Sequence, residues 1–260
     1  MDYPSLAVVH VGSLSLRMWG VFVALGVLAA TFVSAKRGQR RGVPAEQVWH
    51  LSFWVTLAGL IGGRALYVAE YWRDFTAEPL AVFAIWEGGM SAVGSILLGV
   101  LAGWIVARRR RIRLWPLANA VAPALLLGDA LGRLGGAASH MYAGVPTRFP
   151  LSYVLDGVQR HEVGIELSLA SVAGFLLILG AERFLRRRQD PLLSSPSLAL
   201  LWYSAERFFL DFLRASDLPQ SDLRYAGLTL AQYFALAGFA AGGCLLAWSW
   251  RGARVRHGRA

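Results

Sequence analysis

The stretch SLALLWYSAERFFLDFLRASD, residues 197–217, carries the most chemistry in the chain. Tyr203, Arg207, Asp211 and Arg214 are spaced 4, 4 and 3 apart. On a helix turning about 100° per residue they fall within a sector of roughly 80°. One face then holds a phenol, two guanidiniums and a carboxylate. Such a stripe cannot face lipid tails; it lines an interior polar site or forms an ion-pair ladder between helices. A second candidate is GRLGGAASHMYAGVPT, residues 132–147, which follows the apolar run LWPLANAVAPALLLGDAL. Arg133 stands at the end of that run with Asp129 one turn before it, a spacing that allows an ion pair. Guanidinium groups bind phosphate through paired planar donors. The chemistry these residues offer is recognition of an anionic lipid headgroup.

The elements that must position them are membrane helices. Of 260 residues, 56% are hydrophobic and ten are Trp, and several apolar stretches reach the roughly 20 residues that cross a bilayer. Seven spans are expected, at about 14–35, 46–71, 89–107, 115–138, 163–184, 196–214 and 228–250. The connections KRGQRRGV (36–43), RRRRIR (108–113) and RFLRRRQD (183–190), with the tail RGARVRHGRA, hold 17 of the 26 Lys and Arg. They alternate with the other connections, which puts them in the cytoplasm, the amino terminus outside and the carboxyl terminus inside. The fold class expected is therefore all-α: one polytopic integral-membrane domain over residues 1–260, with a small outer cap at about 139–161 that contains the β-like LSYVLDG. Trp72 and Trp86 in the outer connection at 72–88 suit the membrane interface. Gly99 and Gly103 form a GxxxG that reads as close helix packing.

The remaining nine arginines need another explanation. Arg17, Arg64, Arg133, Arg207 and Arg214 lie in spans or at their outer ends, and together they outline a positive cavity opening outward. The net charge of +10 does not indicate nucleic acid, because the basic residues sit in short topology clusters. The single cysteine, Cys244, excludes an internal disulfide and a Cys-based metal cluster, and reads as a small buried apolar residue. No metal-ligand constellation or nucleotide loop is visible, so no metal and no cofactor are expected. The first 13 residues, MDYPSLAVVHVGS, lack the basic start of a cleavable signal peptide and read as a short outside segment.

On these residues the chain resembles the bacterial prolipoprotein diacylglyceryl transferase family over nearly its whole length. GRLGGAASHMYAGVPT is similar to the family signature GRxGNFxNGExxGxPT, and IWEGGMSAVGSILLGVLAGW to WEGGLSFHGGLIGGxLAG. LIGGRALYVAEYW resembles GARLGYVLFY, WYSAERFFLDFLRASD resembles Y-x-x-x-R-F-x-x-E-F-x-R, and LTLAQYFALAG resembles LTMGQWLS. The resemblance implies a multi-pass protein of the bacterial cytoplasmic (inner) membrane. It also implies transfer of a diacylglyceryl group from phosphatidylglycerol, or a related anionic phospholipid, to the lipobox cysteine thiol next to a preprolipoprotein signal peptide. Arg133 and Arg207 then match the arginines that hold the headgroup and stabilise its phosphate, and Asp211 takes the place of a Glu. Tyr203, Arg214, Gly144 and Gln232 match directly, and Arg64 falls in the matching second-span segment as a further substrate-binding candidate.

The departures define the open chemistry. The family's histidine in SFHGG is Val93, its two asparagines are Gly136 and Ser139, and the tyrosine of RWYG is Trp19. Valine neither accepts nor orients a proton. His140, inside the altered signature, and His161, in RHEVGIE, are the two candidates for a base, since imidazole titrates near neutral pH. Two other readings compete with the transferase. A non-catalytic phospholipid- or lipoprotein-binding relative would keep the headgroup site without turnover. A small transporter would need a polar inward opening, for which the inner ends of the spans offer little beyond topology arginines.

Overall fold

The computed structural model describes residues 7–12, 14–187, 194–218 and 221–257. The first six residues, the end of the basic connection at 183–190 and the last three of the basic tail lie outside the described residues. Among the described residues the fold is mostly helical, with six helices long and apolar enough to cross a membrane. These are α1 (Met18–Gln39), α2 (Ala45–Glu70), α3 (Ala92–Arg109), α4 (Leu114–Ala138), α5 (Val163–Arg187) and α7 (Leu230–His257). Their apolar side chains are outward: Val100 is 68% exposed and Phe234 67%. Faces like these are stable only against lipid, which makes the chain a multi-pass membrane protein.

The seventh expected span differs in kind. Its α-helix, α6, covers Ser195–Leu210, a 3₁₀ turn runs over Asp211–Leu213, and Arg214 is extended. Sixteen residues rise about 24 Å, less than the roughly 30 Å hydrocarbon core. The helix stops there because Arg214 is drawn into a β-bridge with Gly144. The stripe read as one helix face is therefore completed by a tighter turn and an extended residue. The first span also starts later than expected. Residues Val8–Val11 (β1) and Leu14–Arg17 (β2) pair antiparallel as a hairpin, so Arg17 ends a strand and α1 begins at Met18. Apolar and polar residues alternate in LSLR, and Gly12 at φ +63° opens the turn. Cys244 is exposed on α7, not buried. On a lipid-facing surface a thiol behaves as any small apolar group.

The chain forms two compact units. One is Thr31–Leu117. Here α2 packs on α3 so closely that a Cβ on Gly62 would meet the Gly94 carbonyl oxygen at 2.4 Å. The Gly99 and Gly103 pair makes looser contacts, at 3.5 and 3.2 Å from Val55. The outer connection folds as 3₁₀ turns over Trp72–Phe75, Pro79–Phe83 and Ile85–Glu87, with Trp72 and Trp86 exposed.

The other unit joins the described residues up to Ala30 to those from Ala118 onward. α1 lies on α4 where Gly26 approaches the Gly128 carbonyl. α5 and α6 lock through the Trp202 indole, which fills the space beside Gly174 and donates to the Ala170 carbonyl at 2.8 Å. α6 and α7 meet at Gly238 and Gly242, packed against Ser204 and Leu201. Small residues at these crossings let the backbones approach, as in membrane bundles generally. The cap is more ordered than a single β-like stretch. Strands β3 (Ala143–Pro146), β4 (Ser152–Leu155) and β5 (Val158–Glu162) form an antiparallel sheet in the order β3-β5-β4. A two-residue pair, β6 (Arg224–Tyr225) with β7 (Leu228–Thr229), leads into α7.

Candidate functional site

The outer end of α6 gathers the charge. Asp211 is fully buried, and its Oδ1 lies 3.1 Å from Arg207 Nη2 and 3.9 Å from Arg214 Nη1. Its Oδ2 accepts a hydrogen bond from the Thr229 hydroxyl. Thr229 is itself held in a reciprocal cap at the start of α7: its amide donates to Gln232 Oε1 at 2.9 Å, and the Gln232 amide donates to Thr229 Oγ1 at 3.2 Å. Gln232 Nε2 donates to the Phe208 carbonyl at 3.0 Å, so the whole side chain is spent on structure. The chain of bonds from Gln232 through Thr229 to Asp211 fixes the carboxylate that aims Arg207. Arg207 Nη1 is buried and has no hydrogen-bond partner among the described residues. A buried guanidinium donor without a partner costs free energy until an anion meets it.

Arg133 comes to the same place from α4. Its Nε lies 3.3 Å from Asp129 Oδ1, the ion pair that the sequence spacing allows. Tyr142 connects it to α6. The Arg133 guanidinium lies 5.4 Å from the Tyr142 ring centroid and that of Arg214 lies 5.7 Å from it, so one ring faces two cations. The ring fits because residue 136 is glycine: a Cβ there would meet Tyr142 Cε2 at 2.1 Å. Gly136 thus has a steric reason in this chain. Arg214 also pairs with Asp222 at 2.5 Å. Below the cluster, α4, α6 and α7 line an apolar cavity of about 450 Å³ whose two polar lining residues are Asp129 and Tyr203.

The cap holds both histidines. α4 ends in a reversed turn in which the Met141 amide donates to the Gly136 carbonyl and the His140 amide to that of Ala137, each at 2.9 Å. This turn puts His140 at φ +50°, a conformation that disfavours side chains. Its ring stacks on Tyr153 with centroids 4.3 Å apart, and Nδ1 lies 3.3 Å from Glu162 Oε2. His140 shares a cavity of about 330 Å³ with Arg214, Asp156 and Ser221. His161 Nδ1 lies 2.6 Å from Glu166 Oε1. Each imidazole is thus oriented by a carboxylate. Gly144 lets the strand reach the cluster, because a Cβ there would meet His161 Cβ at 2.5 Å and the Leu213 carbonyl at 2.9 Å. Arg160 closes the cap with a two-point pair to Asp217, at 2.9 and 2.7 Å. That bond holds the Asp217 carboxyl below its ordinary range and raises Arg160. Burial, helped by Glu162, pushes the Tyr153 phenol up to about 12.

Arg133, Arg207, Asp211, Arg214, Tyr203, Gly144, Gln232, His140 and His161 therefore lie in one unit, with His140 and Arg214 lining one of its cavities and Tyr203 another. Arg64 belongs to the other unit, where its guanidinium donates to the carbonyls of Ala81, Val82, Gly88 and Gly89 at 2.6–2.9 Å. All of these bonds hold the outer connection. Tyr142, Thr229, Ser171 and Glu206 escaped the sequence reading. Only Glu206 carried a signal, as an acidic residue inside an apolar run.

The sequence profile of the prolipoprotein diacylglyceryl transferase family matches residues 6–248. A phosphatidylglycerol–prolipoprotein diacylglyceryl transferase of Gloeobacter violaceus is 32% identical over 256 residues, covering 94% of this chain and 93% of its own. Those of Synechococcus elongatus and Chromohalobacter salexigens are 31% and 30% identical, covering 86% and 96% of this chain and 81% and 95% of their own.

Proposed function

The chain belongs to the prolipoprotein diacylglyceryl transferase family, and from that premise we propose how its residues carry out the transfer. The protein moves a diacylglyceryl group from phosphatidylglycerol to the lipobox cysteine of a preprolipoprotein. The observation that carries this reading is the buried Arg207 Nη1 without a partner, in a cluster where Arg133 and Arg214 flank Tyr142. Three guanidiniums with an open donor suit one phosphodiester, and the apolar cavity lined by Asp129 and Tyr203 suits an acyl chain running inward from it. The cysteine sulfur attacks the glyceryl carbon, the carbon–oxygen bond to phosphate breaks, and the electron pair passes to a phosphate oxygen beside Arg133 and Arg207. The thiol proton leaves through His140 or His161, each oriented by its glutamate. Asp211, Thr229 and Gln232 act as positioning residues for Arg207.

The proposal includes the topology. α6 with its 3₁₀ extension is the seventh span of a single integral-membrane domain, the amino terminus faces outward, and the basic segments lie in the cytoplasm of the bacterial inner membrane. This places the arginine cluster at the outer leaflet, where a translocated signal peptide presents its cysteine. The test is mass spectrometry of a lipobox peptide incubated with the purified protein in phosphatidylglycerol vesicles. A diacylglyceryl mass gain on the cysteine, absent with Arg207→Ala, is the expected result. Saturable phosphatidylglycerol binding without any mass gain would refute the transferase and leave a binding protein.

A further inference from the structure

Beside the arginine cluster lies a buried polar chain that the transfer scheme above does not use. Ser171 on α5 has no solvent exposure. Its Oγ lies 3.0 Å from Asp129 Oδ2 and 2.7 Å from Glu206 Oε1, both within hydrogen-bond range. A hydroxyl carries one proton and can donate only one of these bonds. The other bond forms only if one carboxyl carries a proton and donates it to the serine oxygen; two ionised carboxylates would leave one contact an uncompensated repulsion. Of the two carboxyls, Asp129 is the one with a cation partner, Arg133 at 3.3 Å. Glu206 has no ion pair among the described residues, and its Oε2 is buried without a hydrogen-bond partner. The groups facing it are Asp129 and Arg133 on α4, Trp202, Tyr203 and Arg207 on α6, and Ser171 on α5. The Trp202 N–H is given to the Ala170 carbonyl, and the next acid along α5, Glu166, is held by His161.

We infer that Glu206 holds a proton and is a positioning residue for the phosphate site, donating to Ser171, which donates to Asp129, which aims Arg133. The direction of the chain matters. With the proton on Glu206, the half-buried Asp129 and the buried Asp211 are the carboxylates paired with the cluster's arginines. Once that proton is lost, a third carboxylate stands behind Arg133 and works against an anion. Affinity for an anionic phospholipid is therefore set by the protonation of a group that never touches it, and it falls as pH rises. This inference rests on the arginine cluster being the phosphate site.

Two measurements separate it from that premise. The first is infrared spectroscopy of the wild-type protein labelled with carbon-13 glutamate, in vesicles, at neutral pH. A protonated glutamate carboxyl band that disappears in Glu206→Gln is expected. Its absence from the wild type would overturn the proton assignment whatever the protein catalyses, and needs no variant to fold. The second is the KM for phosphatidylglycerol in the peptide transfer assay, followed from mildly acidic to alkaline pH. KM should rise by about tenfold in the wild type, as one added charge near the site requires, and this rise should be lost in Glu206→Gln while kcat follows its own pH profile. A KM rise that persists in Glu206→Gln would overturn the positioning role. Absence of any peptide transfer, with the infrared band present, would instead count against the transferase reading and leave the proton assignment standing.

Discussion

Gly136→Ala tests how Tyr142 is held. Placing alanine for glycine inside a helix normally gains about 1 kcal/mol. Gly132, one turn earlier on α4, should keep that gain, because its nearest neighbour is Val23 Cγ2 at 3.9 Å. At Gly136 the added methyl would lie 2.1, 2.9 and 3.0 Å from three atoms of the Tyr142 ring. The ring cannot retreat freely: a Cβ on Gly164 would itself come within 3.1 Å of Tyr142 Cδ2, so that backbone backs it closely. Overpacking of this kind costs about 1–3 kcal/mol, and the short distances place it near the top of the range. The net loss is about 1–2 kcal/mol, so the two variants should differ by roughly 2–3 kcal/mol, or some 5–10 °C in melting temperature in the same micelle. Displacing the ring also loosens two cation contacts worth about 0.5–1 kcal/mol each, which predicts a 5- to 30-fold loss in kcat/KM. In the double variant Gly136→Ala with Tyr142→Ala, the clash is gone but both cation contacts stay lost, so kcat/KM should stay lowered. If Gly136→Ala melts and turns over like Gly132→Ala, the ring does not organise the arginines and the steric reasoning is wrong.

Other expectations follow from the same geometry. Arg207→Lys keeps the charge above Asp211 but lacks the planar fork; loss of one charged hydrogen bond to phosphate, about 1.5–3 kcal/mol, should lower kcat/KM by roughly 10- to 150-fold in the peptide assay. His140→Gly relieves the left-handed backbone but removes the stack on Tyr153 and the partner of the buried Glu162, so thermal stability should fall, by about 1–3 kcal/mol; if His140 is the base, kcat falls at temperatures where the variant is still folded, and if kcat is retained there, His161 holds the role. The Arg160–Asp217 bond lowers the Asp217 carboxyl, so its contribution to the cap is complete above the ordinary carboxylate range and is lost as pH falls through the lower folded value. Acid-dependent proteolysis near the cap should show that loss in the wild type, and the loss should be missing in Asp217→Asn. Tyr153 behaves oppositely: its phenol is raised to about 12, so the cap is unaffected below about pH 10 and weakens from there upward, which Tyr153→Phe should abolish in alkaline unfolding.

The sequence by itself determined the membrane class, the places of six membrane-length helices and the residue types of the candidate site. These are local properties: a run of apolar residues is a helix candidate wherever it lies, and the 4, 4, 3 spacing holds Tyr203, Arg207 and Asp211 to one side whatever packs there. The pair of Asp129 with Arg133 was legible for the same reason, since residues one turn apart are neighbours on any helix. The sequence could not say that α6 would stop at Leu210, that Arg17 would end a hairpin, or that the cap would be a three-stranded sheet. Short elements are decided by partners distant in the chain, as Arg214 is by Gly144. Tertiary structure alone also assigned the supporting residues. Thr229, Tyr142 and Ser171 are ordinary in sequence, and they matter because folding brings them to Asp211, to two guanidiniums and to two carboxylates. Charge can be counted along a chain, but which charges remain unpaired once buried depends on every neighbour, and that is a property of the packed molecule.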